Sequence, residues 1–312
     1  MHVLVTGGAG FIGSTLLDRL LADGHTVVSV DDLSTGHLRN VAHLEGRDDV
    51  RLLELDLSRD DLSDALSPTP DVVVHLAAQI SVRTSVADPQ RDAEINVLGT
   101  VRLLDAAVKR GVSKVVFATS GGCIYGQPDL DELPVPEEHP TEPHSPYGAS
   151  KLTGELYLRT FAHLHGLRWT SLAFANVYGP RQDPRGEAGV VAIFAEQMLA
   201  DAACSIFGDG EQSRDFVHVD DVVRGIIAAT EHGDGHRINI GTGHRVTVNE
   251  LFQQLASIVG YRREPRYEPR RAGELDHISV HPGRAAELLD WRPRVSFEDG
   301  LRETVDWVQR SL

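Results

Sequence analysis

His2-Val3-Leu4-Val5-Thr6-Gly7-Gly8-Ala9-Gly10-Phe11-Ile12-Gly13 opens as a short β-rich run and breaks on three spaced glycines. An amphipathic stretch follows, with Phe11, Leu16, Leu17, Leu20 and Leu21 on one side, ending near Gly24. Thr26 to Val30 is a second apolar strand, closed by Asp31-Asp32. Strand, glycine turn, helix, strand and acid in this order make a βαβ unit. Gly7-x-x-Gly10-x-x-Gly13 is one residue wider at its start than the commonest dinucleotide fingerprint. The physics is shared: the turn is tight, and the backbone and the N–H groups of the helix start can approach a pyrophosphate. Phe11 and Ile12 belong to that helix start.

Asp31 stands about twenty residues past the glycines, where a carboxylate can bind both ribose hydroxyls of an adenosine, with Asp32 beside it as a further candidate cofactor contact. It would repel a 2′-phosphate, so the site favours NAD over NADP. Val50 to Leu55 reads as a third strand, with Asp56-Leu57 placed to meet the adenine edge. Asp71 to Leu76 is the near-continuous apolar run of a buried parallel strand. Ala77-Ala78 then supplies small residues where a cofactor can lie close. Asp92 to Arg110 reads as a long helix carrying Asn96, a candidate cofactor contact, and Thr100, and Lys114 to Ala118 reads as the next strand. Alternating strands and helices imply an α/β protein with a Rossmann-type doubly wound parallel sheet. The expected division is a dinucleotide-binding domain over residues 1–175, with later segments interleaved, and a smaller C-terminal α/β substrate lobe over 176–312. In that lobe Val190 to Leu199 and Phe297 to Arg310 read as helices.

Ser145-Pro146-Tyr147-Gly148-Ala149-Ser150-Lys151 places a tyrosine four residues before a lysine at a helix start. Ser145 suits the N-cap and Pro146 the first helical position. Positions i and i+4 share a face, so phenol and ammonium point into one space. A cation there favours phenolate and draws the tyrosine pKa down toward neutrality, which makes the tyrosine a proton acceptor from an alcohol. The chain has three lysines among its 30 basic residues, so lysine at 151 looks selected as lysine.

The 312 residues carry a net charge of −16, and 41% of them are hydrophobic. That balance argues against a nucleic-acid partner, which needs a basic stripe. No apolar run approaches the roughly 20 residues of a membrane helix, so no membrane partner is expected. Cys123 and Cys204 lack metal-ligand spacing, so no metal is expected, and a reduced, cytoplasmic setting fits.

Seven segments together resemble the extended short-chain dehydrogenase/reductase family and, within it, the NAD-dependent nucleotide-sugar 4-epimerases of the UDP-glucose (galactose) type. They are Gly7 to Gly13, Asp31 to Gly36, His75 to Ala78, Asn96 to Thr100, Tyr147 to Lys151, Asn176 to Arg181 and Arg214 to Asp221. The resemblance implies that Tyr147 is the acid and base on the sugar 4-hydroxyl, and that Lys151 holds the nicotinamide ribose. It implies that Asn176 touches the substrate and that Arg214 and Arg271 neutralise its diphosphate, a task suited to the guanidinium fork. Family members commonly dimerise through a four-helix bundle, here from the helices at 92–110 and 147–164.

One position departs from the pattern. The usual catalytic Ser or Thr falls on Gly121. Ser120 is the expected replacement, provided the strand has ended and Gly121-Gly122 re-aims it; otherwise Tyr147 works with little help. The related dehydratases carry Asp-Glu just after that hydroxyl, and decarboxylases a glutamate, where this chain has Gly122-Cys123. The implied reaction is therefore interconversion of UDP-glucose and UDP-galactose through a transient 4-keto sugar. UDP-glucuronate or a UDP-N-acetylhexosamine is the alternative substrate, with Ile278 near the position that limits sugar size. A non-catalytic NAD-sensing protein is the reading from another class.

Overall fold

The protein is described here by a computed structural model, covering residues 1–184, 189–270 and 275–312. β1 (His2–Thr6), α1 (Phe11–Ala22) and β2 (Thr26–Asp31) form the first βαβ unit, and β3 (Val50–Glu54) extends it. β4 (Val72–His75) and α2 (Val82–Ala87) follow. One long helix is then built from α3 (Pro89–Ala93), a π turn at Glu94–Leu98 and α4 (Gly99–Arg110). β5 (Lys114–Ser120), α5 (Pro146–His165) and β6 (Arg168–Phe174) complete the alternation.

The chain then runs through β7 (Asn176–Tyr178), α6 (Val190–Leu199), β8 (Ser205–Phe207), β9 (Ser213–Arg214), β10 (Phe216–His218) and α7 (Val219–Glu231). β11 (His236–Ile240), β12 (Val246–Thr247), α8 (Val248–Val259), β13 (Arg266–Glu268) and β14 (His277–Ile278) come next, before α9 (Gly283–Leu289) and α10 (Phe297–Ser311).

Among the described residues the main sheet has seven strands in the order β11-β6-β5-β4-β1-β2-β3, all parallel. Successive side chains of a strand point to opposite faces, so each strand feeds two cores. On one face Val3, Val5, Val72 and Val74 meet Leu16, Leu17 and Leu20 of α1 and Val222 and Ile226 of α7. On the other, Leu4, Val73 and Phe117 meet Leu103 and Leu104 of α4 and Leu158 of α5. Leu16, Leu17 and Leu20 are each wholly buried, which stabilises the fold by roughly 2 kcal/mol per side chain. A third core, with Phe194, Phe252, Leu301 and Val305, lies within the lobe.

β11 lies well past residue 176 and is the edge strand beside β6, one of the later segments interleaved with the first domain. α7 and α9 also pack on the main sheet. The lobe proper is made of small sheets, β10-β7, β12-β9-β14 and β13-β8. Asp215, between β9 and β10, fixes how these pieces join. It is almost fully buried, and its carboxylate accepts from Thr242 N at 2.9 Å, Thr242 Oγ1 at 2.6 Å, Gly243 N at 3.0 Å and Val280 N at 3.3 Å. Nothing in the sequence reading singled it out.

His75, at the end of β4, is buried between Thr6 Oγ1 (2.7 Å) and Thr100 Oγ1 (2.9 Å), with the Phe117 ring 5.6 Å away. Burial, and secondarily the Lys151 charge, pushes its pKa down to about 3. The unfolded chain therefore binds more protons than the folded one between about pH 6.5 and pH 3, so stability present above pH 6.5 is lost as the pH falls. From this group alone the free energy of unfolding is expected to drop by about 2 kcal/mol between pH 7.5 and pH 5. Urea unfolding at the two pH values checks this, and a His75→Gln variant should show a correspondingly flatter pH dependence.

Candidate active site

The glycine turn leads from β1 into α1. Gly7 has φ 74°, and a Cβ there would stand 2.8 Å from Ala77 N, so only glycine lets β1 lie this close to the segment after β4. A side chain at Gly13 would overlap the Gly7 carbonyl oxygen. Gly10, the N-cap of α1, offers no side-chain cap, whereas Ser145, Thr247 and Ser296 cap α5, α8 and α10. The Phe11–Gly13 helix start thus presents backbone N–H groups and no competing side chain, which fits a pyrophosphate.

Asp31 stands beside this turn, its Oδ2 accepting from Ala9 N at 2.9 Å and its Oδ1 from Leu33 N at 2.9 Å. Burial raises its pKa, and those two N–H groups oppose the rise. Gly36 leaves room beside it, since a Cβ there would come within 2.6 Å of Oδ1. Asp31 is thus a buried hydrogen-bond acceptor at the carboxyl edge, beside the glycine turn.

The other candidate cofactor contacts have these surroundings. Asp32 is exposed and turned back on Ser34, accepting from its N at 3.0 Å and Oγ at 2.6 Å. Asp56 makes the same local turn with Ser58, at 2.8 and 2.6 Å, and Leu57 is buried beneath α4 near Gly99. Leu76, Ala77 and Ala78 lie partly open beside Gly7.

Asn96 sits in the π turn, buried. Its Oδ1 accepts from Gln79 N (2.9 Å), and its Nδ2 donates to Gln79 O (2.9 Å), Asp92 Oδ1 (3.0 Å) and Ser150 Oγ (3.2 Å). The side chain expected to touch a cofactor is occupied by protein groups. It braces the segment after Ala78 against the residue next to Lys151.

The start of α5 is as the sequence predicts: Pro146 opens the helix and Ser145 Oγ accepts from Gly148 N at 3.1 Å. Lys151 is buried, donates from Nζ to Ala118 O at 3.1 Å, and lies 5.3 Å from the Phe117 ring centre. Burial, opposed by the Asp92 charge, pushes its pKa down to about 8. The Tyr147 pKa is raised, not lowered: burial is the largest cause, the Cys123 thiol adds to it, and a hydrogen bond with the Ser120 hydroxyl opposes it. The depression expected from Lys151 does not appear: burial raises the phenol's pKa, and the ammonium is directed at the Ala118 carbonyl.

Ser120 does reach Tyr147, but not by the expected route. β5 continues through Ser120, which pairs with Phe174, and the chain turns only afterwards, with Cys123 N and Ile124 N both donating to Ser120 O at 3.1 Å. As the last residue of the strand, Ser120 stands at the carboxyl edge, near enough for its hydroxyl to act on the phenol. Gly121 cannot carry the hydroxyl, since a Cβ there would lie 2.9 Å from Val280 Cγ1 and 3.1 Å from Ala173 O. The Cys123 thiol also contacts the Ser120 hydroxyl, and burial raises its pKa, so it is not an activated nucleophile.

Asn176 flanks this group; a Cβ on Gly122 would be 3.6 Å from its Oδ1. Arg214 donates to Ser213 O (2.9 Å), Asp276 O (3.2 Å) and Leu275 O (2.8 Å), and its charge acts on the Cys123 thiol. Ile278, paired with Arg214 across β14 and β9, is buried. Arg271 lies outside the described residues.

A doubly wound parallel sheet, with this glycine turn and acid at its carboxyl edge and a paired Tyr and Ser hydroxyl beside a buried lysine, defines a dinucleotide-binding enzyme that acts on an alcohol. The sequence profile of the NAD dependent epimerase/dehydratase family matches residues 3–241, and the chain belongs to that family. It is 49% identical over 311 residues to the UDP-glucose 4-epimerase of Mycolicibacterium smegmatis, with 99% of each chain covered. The UDP-glucose 4-epimerase of Thermotoga maritima, solved with UDP-glucose, superposes with a TM-score of 0.95 at 46% identity, covering 100% of this chain and 99% of the other. That of Thermus thermophilus, solved with NAD, gives 0.93 at 41% identity over 100% of both chains.

Proposed function

We propose that this protein is a UDP-glucose 4-epimerase, interconverting UDP-glucose and UDP-galactose through a transient 4-keto sugar with NAD held throughout. The observation that carries this reading is the Ser120–Tyr147 hydroxyl pair on a segment that continues as Gly121-Gly122-Cys123, with no carboxylate to take the chemistry past the ketone. Bound NAD supplies the hydride acceptor and donor, and a positive charge near the phenol.

The chain's own residues do the rest. The Gly7–Gly13 turn and the N–H groups of α1 hold the pyrophosphate, and Asp31 the adenosine ribose. Tyr147 takes the proton of the sugar 4-hydroxyl and returns it. Ser120 bonds the same oxygen and the phenol, so the proton moves along a preset line. Lys151 contributes positive charge on the Tyr147 face of α5. Asn176, Arg214 and Arg271 hold the diphosphate end, which leaves the sugar free to turn over between the two hydride transfers.

Ser120→Ala is expected to lower kcat about 100-fold with little change in KM. Moving the hydroxyl, as Ser120→Ala with Gly121→Ser, should not restore it, because residue 121 has no room for a side chain; steady-state kinetics of both variants decide.

Leu98, Leu156 and Leu164 are exposed on the long helix and α5, and support a homodimer paired through those helices, which light scattering would report as about twice 34.1 kDa. We place the enzyme in the cytoplasm, in galactose use, in keeping with two free thiols; among the described residues no helix is long and apolar enough to cross a membrane. The experiment for the function is incubation of purified protein with UDP-galactose and no added NAD, followed by proton NMR. UDP-glucose should appear. No conversion, even after NAD is added back, would refute the assignment.

A further inference from the structure

We propose that Arg237 is a positioning residue for the two candidate reacting hydroxyls, holding the Tyr147 helix and the Ser120 turn in register from one point on the edge strand. The proposal rests on the roles given above to Tyr147 and Ser120.

Arg237-Ile238-Asn239-Ile240 alternates along β11. Ile238 and Ile240 are wholly buried in the α7 core, so Arg237 and Asn239 share the opposite face, toward α5. Arg237 grips Glu155 with both arms of its fork: Nε lies 3.1 Å from Oε1 and 2.9 Å from Oε2, and Nη2 2.7 Å from Oε1. Ser171 Oγ of β6 donates to the same carboxylate at 2.8 Å. Glu155 is four residues after Lys151 and eight after Tyr147, so this buried clamp fixes the helix that carries both.

The same guanidinium lies 5.8 Å from the Tyr125 ring centre. Tyr125 OH donates to Asn239 Oδ1 at 2.8 Å, and Asn239 is itself held, its N donating to Glu137 Oε1 at 2.8 Å and its Nδ2 to Val135 O at 3.1 Å. Tyr125 directly follows the turn that closes on Ser120 O. One strand face therefore anchors both elements whose hydroxyls must meet.

A buried ion pair is a weak source of stability, since apolar residues of similar volume often do as well. What a bidentate pair adds is direction and distance. A misplacement of about 1 Å between reacting groups costs roughly 100-fold in rate.

The test compares wild type, Arg237→Met and the double variant Glu155→Leu/Arg237→Met. It measures kcat and KM for UDP-galactose, bound NAD, the thermal midpoint, and the Tyr147 signal in ring-labelled [13C]tyrosine protein, assigned with Tyr147→Phe. The double variant, free of an orphaned charge, should regain most of the wild-type midpoint. Its kcat should stay about 30- to 100-fold low with KM within about threefold, NAD retained and the Tyr147 signal shifted. A folded double variant with wild-type kcat, or a raised KM alone, would overturn the proposal. So would an unmoved Tyr147 signal, whatever the turnover. Absence of turnover in wild type would instead count against the epimerase assignment, and the NMR signal would still decide the positioning role.

Discussion

Tyr147→Phe is expected to lower kcat for UDP-galactose conversion by about 1,000-fold or more, while the purified protein keeps its NAD and its thermal midpoint. Among the described residues the phenol is the group best placed to move a proton at the reacting oxygen, with the Ser120 hydroxyl beside it favouring its charged form. General acid–base catalysis by one positioned group is worth about 100- to 10,000-fold, and the upper half of that range applies because Asp92, whose charge reaches the phenol, is buried and held by Gln79 and Asn96. The His75 imidazole is no alternative, being buried between two threonine hydroxyls and held neutral. Phenylalanine keeps the ring and removes only the hydroxyl, so packing at the start of α5 should survive. Steady-state kinetics and NAD release on denaturation check both halves; turnover within tenfold of wild type would remove Tyr147 from the mechanism.

Asp215→Ala should produce the largest loss of stability. Its carboxylate takes three backbone N–H groups and the Thr242 hydroxyl in a nearly water-free place. Truncation orphans those donors together, at a cost of roughly 3–5 kcal/mol, or about 5–8 °C in thermal midpoint for a chain of this size. Activity should suffer too, because Asp215 O accepts from Asn176 N at 2.9 Å and Val280 packs where a side chain on Gly121 would go. Asp215→Asn keeps one acceptor oxygen and should lose about half as much. Differential scanning calorimetry of the two variants distinguishes this from a role confined to the surface, for which both would melt like wild type.

The features that were legible in the sequence obey local rules. A glycine turn before an amphipathic run, an acid closing the second strand, and Ser145-Pro146 ahead of Tyr147 each depend on neighbours within a few residues. The structure places them as read. What was not legible depends on partners far along the chain. The Tyr147–Lys151 spacing predicts an acidified phenol, but burial by surrounding elements raises its pKa, and no spacing rule reports burial. The π turn that aims Asn96 at Gln79 leaves no mark in the helical periodicity. Ser120 was reachable as a candidate, yet the reason that Gly121 cannot replace it is Val280, far away in sequence. Arg237 and Asp215 read as ordinary charged residues of an irregular region. Only the pairing of β11 with β6, and the return of residues 242–243 and 280 to Asp215, reveals what they hold.

The central claim is that hydrogen leaves C4 of the sugar and returns to the same carbon without exchanging with water. It is tested most directly by turning over UDP-galactose deuterated at C4 in ordinary water and examining C4 of the UDP-glucose formed. Essentially complete retention of deuterium is the predicted result. Its replacement by solvent hydrogen would mean that the carbon is deprotonated to water, and would contradict the account.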